Sequence, residues 1–282
     1  MQKITKILFM SLFVLVISMK PFAVSAETIE IATFEDEVKL PILMYHFLTE
    51  NVRNRWAITP ENFEADLIYL KENGYETVFM SEVIDYVYKG KRLPEKPIVL
   101  TFDDGDSSVH RIAFPLLQKY EMKAVVAIIG KPTDEYSMES RTDIEYYPNI
   151  TWKQVKEMHE SGWIEIQNHS YDSHHGNGTK KKKGESFENY RERLSQDLNK
   201  LQSRIKEEIG VNPNTFVYPF GAISHDSVPI LKENGFMASL SCAEVVSAVK
   251  LGDPSSLYGL GRFLRPQDIT AERIVKFAEH QS

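Results

Sequence analysis

Two aspartates and two histidines stand directly after apolar segments, in a pattern that could bind a metal ion. Asp103 and Asp104 follow one apolar run, and His169 and His174 follow another that begins at Ile164. A carboxylate and two imidazoles form a three-ligand set that leaves coordination positions open, as catalytic metal sites do. Adjacent aspartates repel each other, and a cation would offset that repulsion. One aspartate could ligate while its neighbour acts as a base toward water, so the pattern predicts metal-assisted hydrolysis of an amide or ester.

Each of these motifs also has a purely structural interpretation. Asp-Asp-Gly is a common turn or N-cap sequence, and a histidine-rich loop is often only solvated, which is what we expect of His175. The turn Tyr218–Gly221 follows another strand candidate and could be no more than a tight turn. The segment Asp103–Asp106 lacks the alternating ligand spacing of a calcium loop. A serine hydrolase would need a G-x-S-x-G elbow, which the sequence lacks.

Short apolar segments alternate with helical patterns along the chain. The strand candidates are Pro41–Met44, Thr77–Phe79, Pro97–Thr101, Ala124–Ile129, Ile164–Gln167, Thr215–Tyr218 and Met237–Leu240. The helix candidates are Thr59–Asn73, Ser81–Tyr88, Ser107–Tyr120, Thr151–Ser161, Phe187–Ile209 and Ser224–Asn234. Continuous apolar strands are typical of parallel sheets covered on both faces, so the alternation predicts a closed or nearly closed α/β barrel. Loops leaving the carboxyl ends of such strands meet at one rim, where the polar motifs would converge.

An open doubly wound sheet is the alternative to a barrel. The chain has neither of the glycine-rich phosphate turns that usually accompany nucleotide binding in such sheets, so nucleotide chemistry is not expected. Two polar segments, Thr133–Asn149 and Asp172–Glu185, are predicted to be long loops. The four lysines Lys180–Lys183 in the second segment are expected to be solvated.

The first 26 residues have the pattern of a secretory signal peptide. Lysines precede an uncharged run from Ile7 to Met19, and small residues end the segment at Ala26. The alternative is a membrane anchor that is not cleaved, although the run is short for a comfortable span. Residues 27–39 are acidic and are interpreted as a linker to a domain over residues 40–282.

Composition and charge exclude several classes of protein. Of the 282 residues, 42% are hydrophobic and 26% charged, which is globular composition rather than that of a disordered or coiled-coil chain. Without residues 1–26, 30 basic and 40 acidic side chains remain, a formal charge of −10 that argues against nucleic acid and anionic membranes as partners. Cys242 is the only cysteine, so disulfides and cysteine-based structural zinc sites are excluded, and we expect a small buried hydrophobe there.

Three motifs in this order resemble a known family. They are Thr101–Gly105, His169-Ser170 with the later His174, and Tyr218–Gly221. They resemble the polysaccharide deacetylases with a NodB homology domain, carbohydrate esterase family 4, over about residues 40–270. The resemblance implies a distorted (β/α)₇ barrel, a divalent metal that is often Zn²⁺ and sometimes Co²⁺ or Ni²⁺, and removal of acetyl groups from sugar polymers.

The resemblance also implies a role for individual residues. Asp103 matches the catalytic base, and Phe220 matches the position whose backbone N–H helps to hold the oxyanion. Tyr218 lies in the same turn and is grouped with Phe220 as substrate-binding. The metal ligands that the resemblance implies are Asp104, His169 and His174.

The sequence departs from the commonest family pattern in three places. The two histidines are five residues apart rather than four, which is similar to the poly-β-1,6-N-acetylglucosamine deacetylases of biofilm systems and favours that polymer. The arginine that usually precedes the proline of the third motif is replaced by Val217-Tyr218, and its charge could come from Arg262 or Arg265. The C-terminal Leu-x-His, which supplies the family's general acid, is missing.

His46 is the candidate for the missing general acid. It ends an apolar strand candidate and would therefore lie at the rim with the other motifs, and the biofilm deacetylases look similar in having this histidine near the N-terminus. Histidine suits the role because its pKa lies near working pH. The alternative is that Tyr45 and His46 merely plug the end of the barrel.

Together these features predict a secreted, metal-dependent polysaccharide deacetylase. The expected substrate is a β-linked N-acetylglucosamine polymer: poly-N-acetylglucosamine, a chitin-like chain or the peptidoglycan glycan. We expect a monomer whose partner is that polysaccharide. The alternatives are an O-acetyl esterase acting on xylan-type glycans and a non-catalytic carbohydrate-binding barrel.

Overall fold

The computed structural model describes residues 36–138, 148–176 and 178–280. The strands are β1 Glu37–Leu40, β2 Ile42–Tyr45, β3 Phe47–Leu48, β4 Ala57–Ile58, β5 Glu76–Thr77, β6 Pro97–Phe102, β7 Ala124–Ile128, β8 Ile164–Asn168, β9 Thr215–Val217, β10 Ala238–Leu240, β11 Ser247–Lys250 and β12 Phe263–Leu264. The α-helices are α1 Pro60–Glu72, α2 Met80–Lys89, α3 Phe114–Tyr120, α4 Gly130–Met138, α5 Trp152–Glu160, α6 Phe187–Ile209, α7 Ser227–Glu233 and α8 Ala271–His280. A π-helical turn over Val109–Ala113 leads into α3.

Seven parallel strands form the wall of a barrel. Their order is β10-β9-β8-β7-β6-β2-β12, and the short strand β5 pairs with the beginning of β6. Leu260, just ahead of β12, forms a parallel bridge with Leu240 of β10, so the two ends of the row meet. The expected α/β barrel is thus confirmed, with a weak seam between β10 and β12.

The strands alternate their side chains between the barrel interior and the surrounding helices. Along β6, Leu100 and Phe102 pack in the cluster that includes Leu67 of α1 and Leu117 of α3, whereas Val99 packs in a second cluster with Val125 and Val217. This period of two is what a strand buried on both faces requires. It fixes which residues near the strand ends can reach the interior.

The helices begin and end where the sequence provides caps. The Thr59 side chain accepts a hydrogen bond from the backbone N–H of Asn62 at the start of α1, and Pro60 occupies the first helical position. The long helix α6 starts at the cap Ser186 and stops at Gly210, which adopts φ +80°. The six predicted helices correspond to α1, α2, α3, α5, α6 and α7, although α3 and α7 begin later than expected. Helices α4 and α8 were not predicted.

Two segments differ from the expectations. The polar segment predicted as a loop from Thr133 begins inside α4, whose Thr133 and Asp134 side chains are buried and hydrogen-bonded to Ile129 and to Trp152 respectively. Residues 139–147 of that segment lie outside the described residues. Strand β1, which pairs antiparallel with β11, begins within the acidic stretch interpreted as a linker.

The predicted signal peptide, residues 1–26, also lies outside the described residues. None of the helices in the described ranges combines the length and the apolar character that a bilayer span requires.

Candidate active site

Asp103 is held in the barrel interior by an arginine that directly precedes β12, the strand at one end of the row. The alternation along β6 places Val99, Thr101 and Asp103 on the interior face. Arg262 reaches them from the segment before β12, with Nη1 donating to Oδ1 of Asp103 at 2.7 Å and Nη2 to Oδ2 at 2.9 Å. Its Nε donates to the carbonyl of Ser241 at 2.8 Å, and all these groups are buried. The guanidinium fork therefore fixes the plane of the carboxylate.

This pairing keeps Asp103 ionised. Burial by itself would raise the pKa of Asp103, but the Arg262 guanidinium and the neighbouring His169 and His46 lower it below its ordinary value. A buried carboxylate in this setting is a fixed negative charge that can accept a proton from a molecule placed beside it.

The side chains of Asp104, His169 and His174 converge on one point at the rim. Oδ1 of Asp104 lies 3.0 Å from Nε2 of His174 and 3.4 Å from Nε2 of His169. One donor atom from each of the three lies within 4.8 Å of the other two. Asp104 adopts φ +71°, which turns its side chain away from the strand direction of Asp103. The two neighbouring carboxylates therefore lie in different surroundings: Asp103 contacts Arg262, and Asp104 contacts the two histidines.

The donor set fits a divalent metal ion. The ring of His169 is oriented by Nδ1, which lies 2.7 Å from the carbonyl of Val217 and donates to it, so that Nε2 presents its lone pair to the cluster. Oδ1 of Asp104 is buried and accepts no hydrogen bond within the described ranges. Two imidazole nitrogens and an unsatisfied carboxylate oxygen are ligands typical of Zn²⁺, and three protein ligands leave positions open.

The electrostatics agree with this arrangement. Burial opposes ionisation of Asp104, but His169 and His174 outweigh it and hold the pKa of Asp104 well below its usual range. Burial lowers the pKa of His169, whereas Asp103 and Asp104 raise it, with a net increase. His175, in contrast, is exposed and does not belong to the cluster.

His46 follows β2 and lies close enough to Asp103 and Asp104 for their charges to act on it. Burial lowers the pKa of His46, and the two carboxylates oppose this shift only in part. Its Nδ1 is buried and has no hydrogen-bond partner among the described residues. The adjacent Tyr45 points to the other side of the sheet, where its hydroxyl donates to Asp66 at 3.1 Å. Of the two, only His46 faces the cluster.

The turn Tyr218–Gly221 places Phe220 against the cluster. The Phe220 ring lies 4.5 Å from the ring of His174, and its backbone adopts φ +56° at the second position of a short helical turn. Phe220 is 61% exposed, so the turn lies at the open edge of the site. Gly221 is required here, because a Cβ would lie 2.9 Å from Cβ of Cys242.

The prediction that Tyr218 binds substrate is wrong for its side chain. Tyr218 is fully buried on the helix side of β9, and its hydroxyl lies 2.6 Å from Oγ of Ser227. Its N–H donates to the carbonyl of Leu240. The alternation that sends Val217 into the barrel sends Tyr218 out of it.

Three residues outside the predicted catalytic, substrate-binding and metal-binding set also lie at the site. Arg262 was one of two candidates for the missing arginine, and the other, Arg265, instead pairs with Asp66 outside the barrel. Trp56 packs its ring 4.6 Å from that of His46. Cys242 is half-buried rather than buried, with Sγ 3.7 Å from Nη2 of Arg262, and burial raises the pKa of its thiol.

Comparisons with known proteins agree with these motifs. Residues 90–239 match the model of the polysaccharide deacetylase family. The chain is 33% identical over 191 residues to the poly-β-1,6-N-acetyl-D-glucosamine N-deacetylase of Escherichia coli strain K12, covering 60% of this chain and 28% of that protein. It is 26% identical over 201 residues to the Staphylococcus aureus protein of the same name (strain MRSA252), covering 71% of this chain and 66% of that one.

The fold has a close counterpart among solved structures. A de-N-acetylase from Aggregatibacter actinomycetemcomitans superposes with a TM-score of 0.73 at 27% identity, covering 85% of this chain and all of that one. The chain spans just over a quarter of the E. coli relative and about two thirds of the S. aureus relative.

Proposed function

Because the chain belongs to the polysaccharide deacetylase family, we propose that it hydrolyses N-acetyl groups of a β-1,6-linked N-acetylglucosamine polymer outside the cell. The observation that carries the proposal is the pairing of two unlike carboxylates at one rim. Asp104 joins two histidines in a metal-type cluster, while Asp103 is held apart by Arg262. The relatives named above support the choice of polymer, and the signal-peptide pattern of residues 1–26 supports export.

Asp104, His169 and His174 would hold the metal, for which we propose Zn²⁺, with Co²⁺ or Ni²⁺ as substitutes that suit imidazole ligands. When bound, such an ion polarises a carbonyl and lowers the pKa of water. A purely sugar-binding barrel has no need of a buried base beside such a cluster.

The side chains of this protein account for the proton transfers. Asp103 accepts a proton from the attacking water, whose oxygen forms a bond to the acetamide carbonyl carbon. The Phe220 N–H donates to the carbonyl oxygen as negative charge develops there. The C–N bond then breaks, and His46 donates a proton to the departing sugar amine, so acetate and the free amine are the products.

Acetate release from a panel of glycans tests the proposal. The panel contains poly-β-1,6-N-acetylglucosamine, chitooligosaccharides, peptidoglycan and O-acetylated xylan, each incubated with metal-loaded protein and with Asp103→Asn as the matched inactive control. We expect release from the first glycan above all others, and none from the control. Release from xylan alone would make the protein an O-acetyl esterase, and no release from any glycan by metal-loaded protein would favour a binding module.

A further inference from the structure

An exposed tryptophan extends the candidate site along the rim. Trp56 is 41% exposed, and the centroid of its ring lies 4.6 Å from that of the His46 ring. The guanidinium of Arg55 lies 5.2 Å from the centroid of the same ring. Trp152 is buried in the core, and Trp163 is partly buried against it. Trp56 thus presents an apolar face to solvent directly beside the proposed general acid.

Arg55 connects this tryptophan to a separate groove. The groove has a volume of about 260 Å³ and lies outside the barrel between β12 and α8. Its floor is apolar, and Phe277, which is 54% exposed, meets Phe263 edge-on with ring centroids 6.1 Å apart. Since Arg55 contacts the Trp56 ring and also lines the groove, the two surfaces are continuous.

The rim of the groove is polar and carries a net positive charge. Arg55, Arg273 and Glu244 line it, and all three are exposed. Within the described ranges, none of the three forms an ion pair with another side chain, so their charges remain available to a ligand at the groove. Two guanidinium groups and one carboxylate can bind hydroxyl and acetamido groups, but together they repel an ammonium group.

We propose that this groove is a second sugar subsite, which holds an N-acetylated residue of the polymer while another residue lies at the metal-type cluster. The proposal rests on the proposed function. An N-acetylglucosamine residue is uncharged, and its apolar ring face and acetyl methyl fit the Phe277 floor. The deacetylated residue is a cation at neutral pH and is disfavoured by the rim. The subsite would therefore direct the protein to acetylated stretches of the polymer and release deacetylated ones.

The dependence of kcat/KM on oligomer length tests the subsite. For the wild-type full chain, we expect kcat/KM on β-1,6-linked N-acetylglucosamine oligomers to rise with length until the groove is filled. In Phe277→Ala this rise should shrink about five- to tenfold, as expected for losing one aromatic contact, while the shortest substrate is unaffected. Tyr88→Ala, which removes another exposed aromatic side chain, on α2 and 44% exposed, should retain the rise. An unchanged rise in Phe277→Ala overturns the subsite, whereas the proposed function fails only if wild type releases no acetate at any length.

Binding measured without turnover separates the proposed subsite from the proposed function further. In the Asp103→Asn background, calorimetry should show tighter binding of the acetylated pentamer than of the fully deacetylated one. Adding Arg273→Glu, which reverses the net charge of the rim, should reverse that preference. Equal affinity for both pentamers, or a preference that Arg273→Glu leaves unchanged, refutes the role of the rim. A wild-type dimer that Phe277→Ala converts to a monomer would instead make the groove an interface between copies.

Discussion

Replacing Arg262 with methionine tests the central electrostatic argument about the site. Methionine keeps the length of the side chain but removes both bonds to Asp103, which are 2.7 and 2.9 Å long. The Asp103 carboxylate stays buried, but its charge loses its main partner, the Arg262 guanidinium. Breaking a buried pair in this way costs about 3–5 kcal/mol, which is a large part of the stability of an ordinary domain. Arg262→Lys, which keeps the charge but not the fork, provides a milder variant.

The sign of the pH dependence follows from the pKa of Asp103. In the wild type this pKa is below its usual value, so the carboxylate contributes stability above its unfolded pKa and loses it as pH falls through the folded pKa. Burial is already the largest single influence on this pKa, and without Arg262 it is no longer outweighed. The pKa of Asp103 then rises, so stability is lost as pH rises. The stability deficit of Arg262→Met should therefore be larger at about pH 8 than at about pH 4.

Urea unfolding of metal-free protein at both pH values measures this deficit, and acetate release measures function. Arg265→Met is the matched control, because Arg265 is also a buried arginine paired with one buried aspartate, Asp66, but on the helix side of the barrel. Both variants should be destabilised to a similar extent. Turnover of the folded protein should fall by at least about 10²-fold only in Arg262→Met. Equal losses of turnover in the two variants, or a deficit that does not change with pH, would refute the reasoning.

The remaining predictions concern the cluster and its surroundings. Substituting any one proposed ligand should lower metal content and activity together, measured by elemental analysis and acetate release, whereas His175→Ala should change neither. The ligand variants are Asp104→Ala, His169→Ala and His174→Ala. Asp103→Asn should keep the metal but lose about 10²–10⁴-fold in turnover, since it removes a base and not a ligand; loss of metal would contradict this role. His46→Ala should lose far more activity on the amide than on an activated aryl acetate, whose leaving group needs little protonation, and equal losses would indicate a structural role. Gly221→Ala should lower the unfolding midpoint, because its Cβ would lie 2.9 Å from Cβ of Cys242 at φ +62°; an unchanged midpoint would show that the turn relaxes freely.

The barrel and the convergence of the motifs could be predicted from the sequence for one physical reason. Strands buried on both faces produce continuous apolar runs, and a polar residue placed directly after such a run must lie at the rim. Asp104 and His169 satisfy this rule, and the structure places them together. The elements that were missed lack such a signal. Strand β12 is only two residues long, and its pairing with β2 depends on residues more than 200 positions away in sequence.

The two arginines near β12 show what a finer use of strand geometry would add. Arg262 and Arg265 are three residues apart, and an odd spacing along a strand sends the side chains to opposite faces. Only one of them can therefore reach Asp103 inside the barrel, and the other must find its partner among the helices, as Arg265 does with Asp66. The sequence does not reveal which is which, because that depends on the register of β12 against β2, in which Phe263 pairs with Leu43. Once this register is known, the alternation that buries Tyr218 away from the site also assigns Arg262 to it.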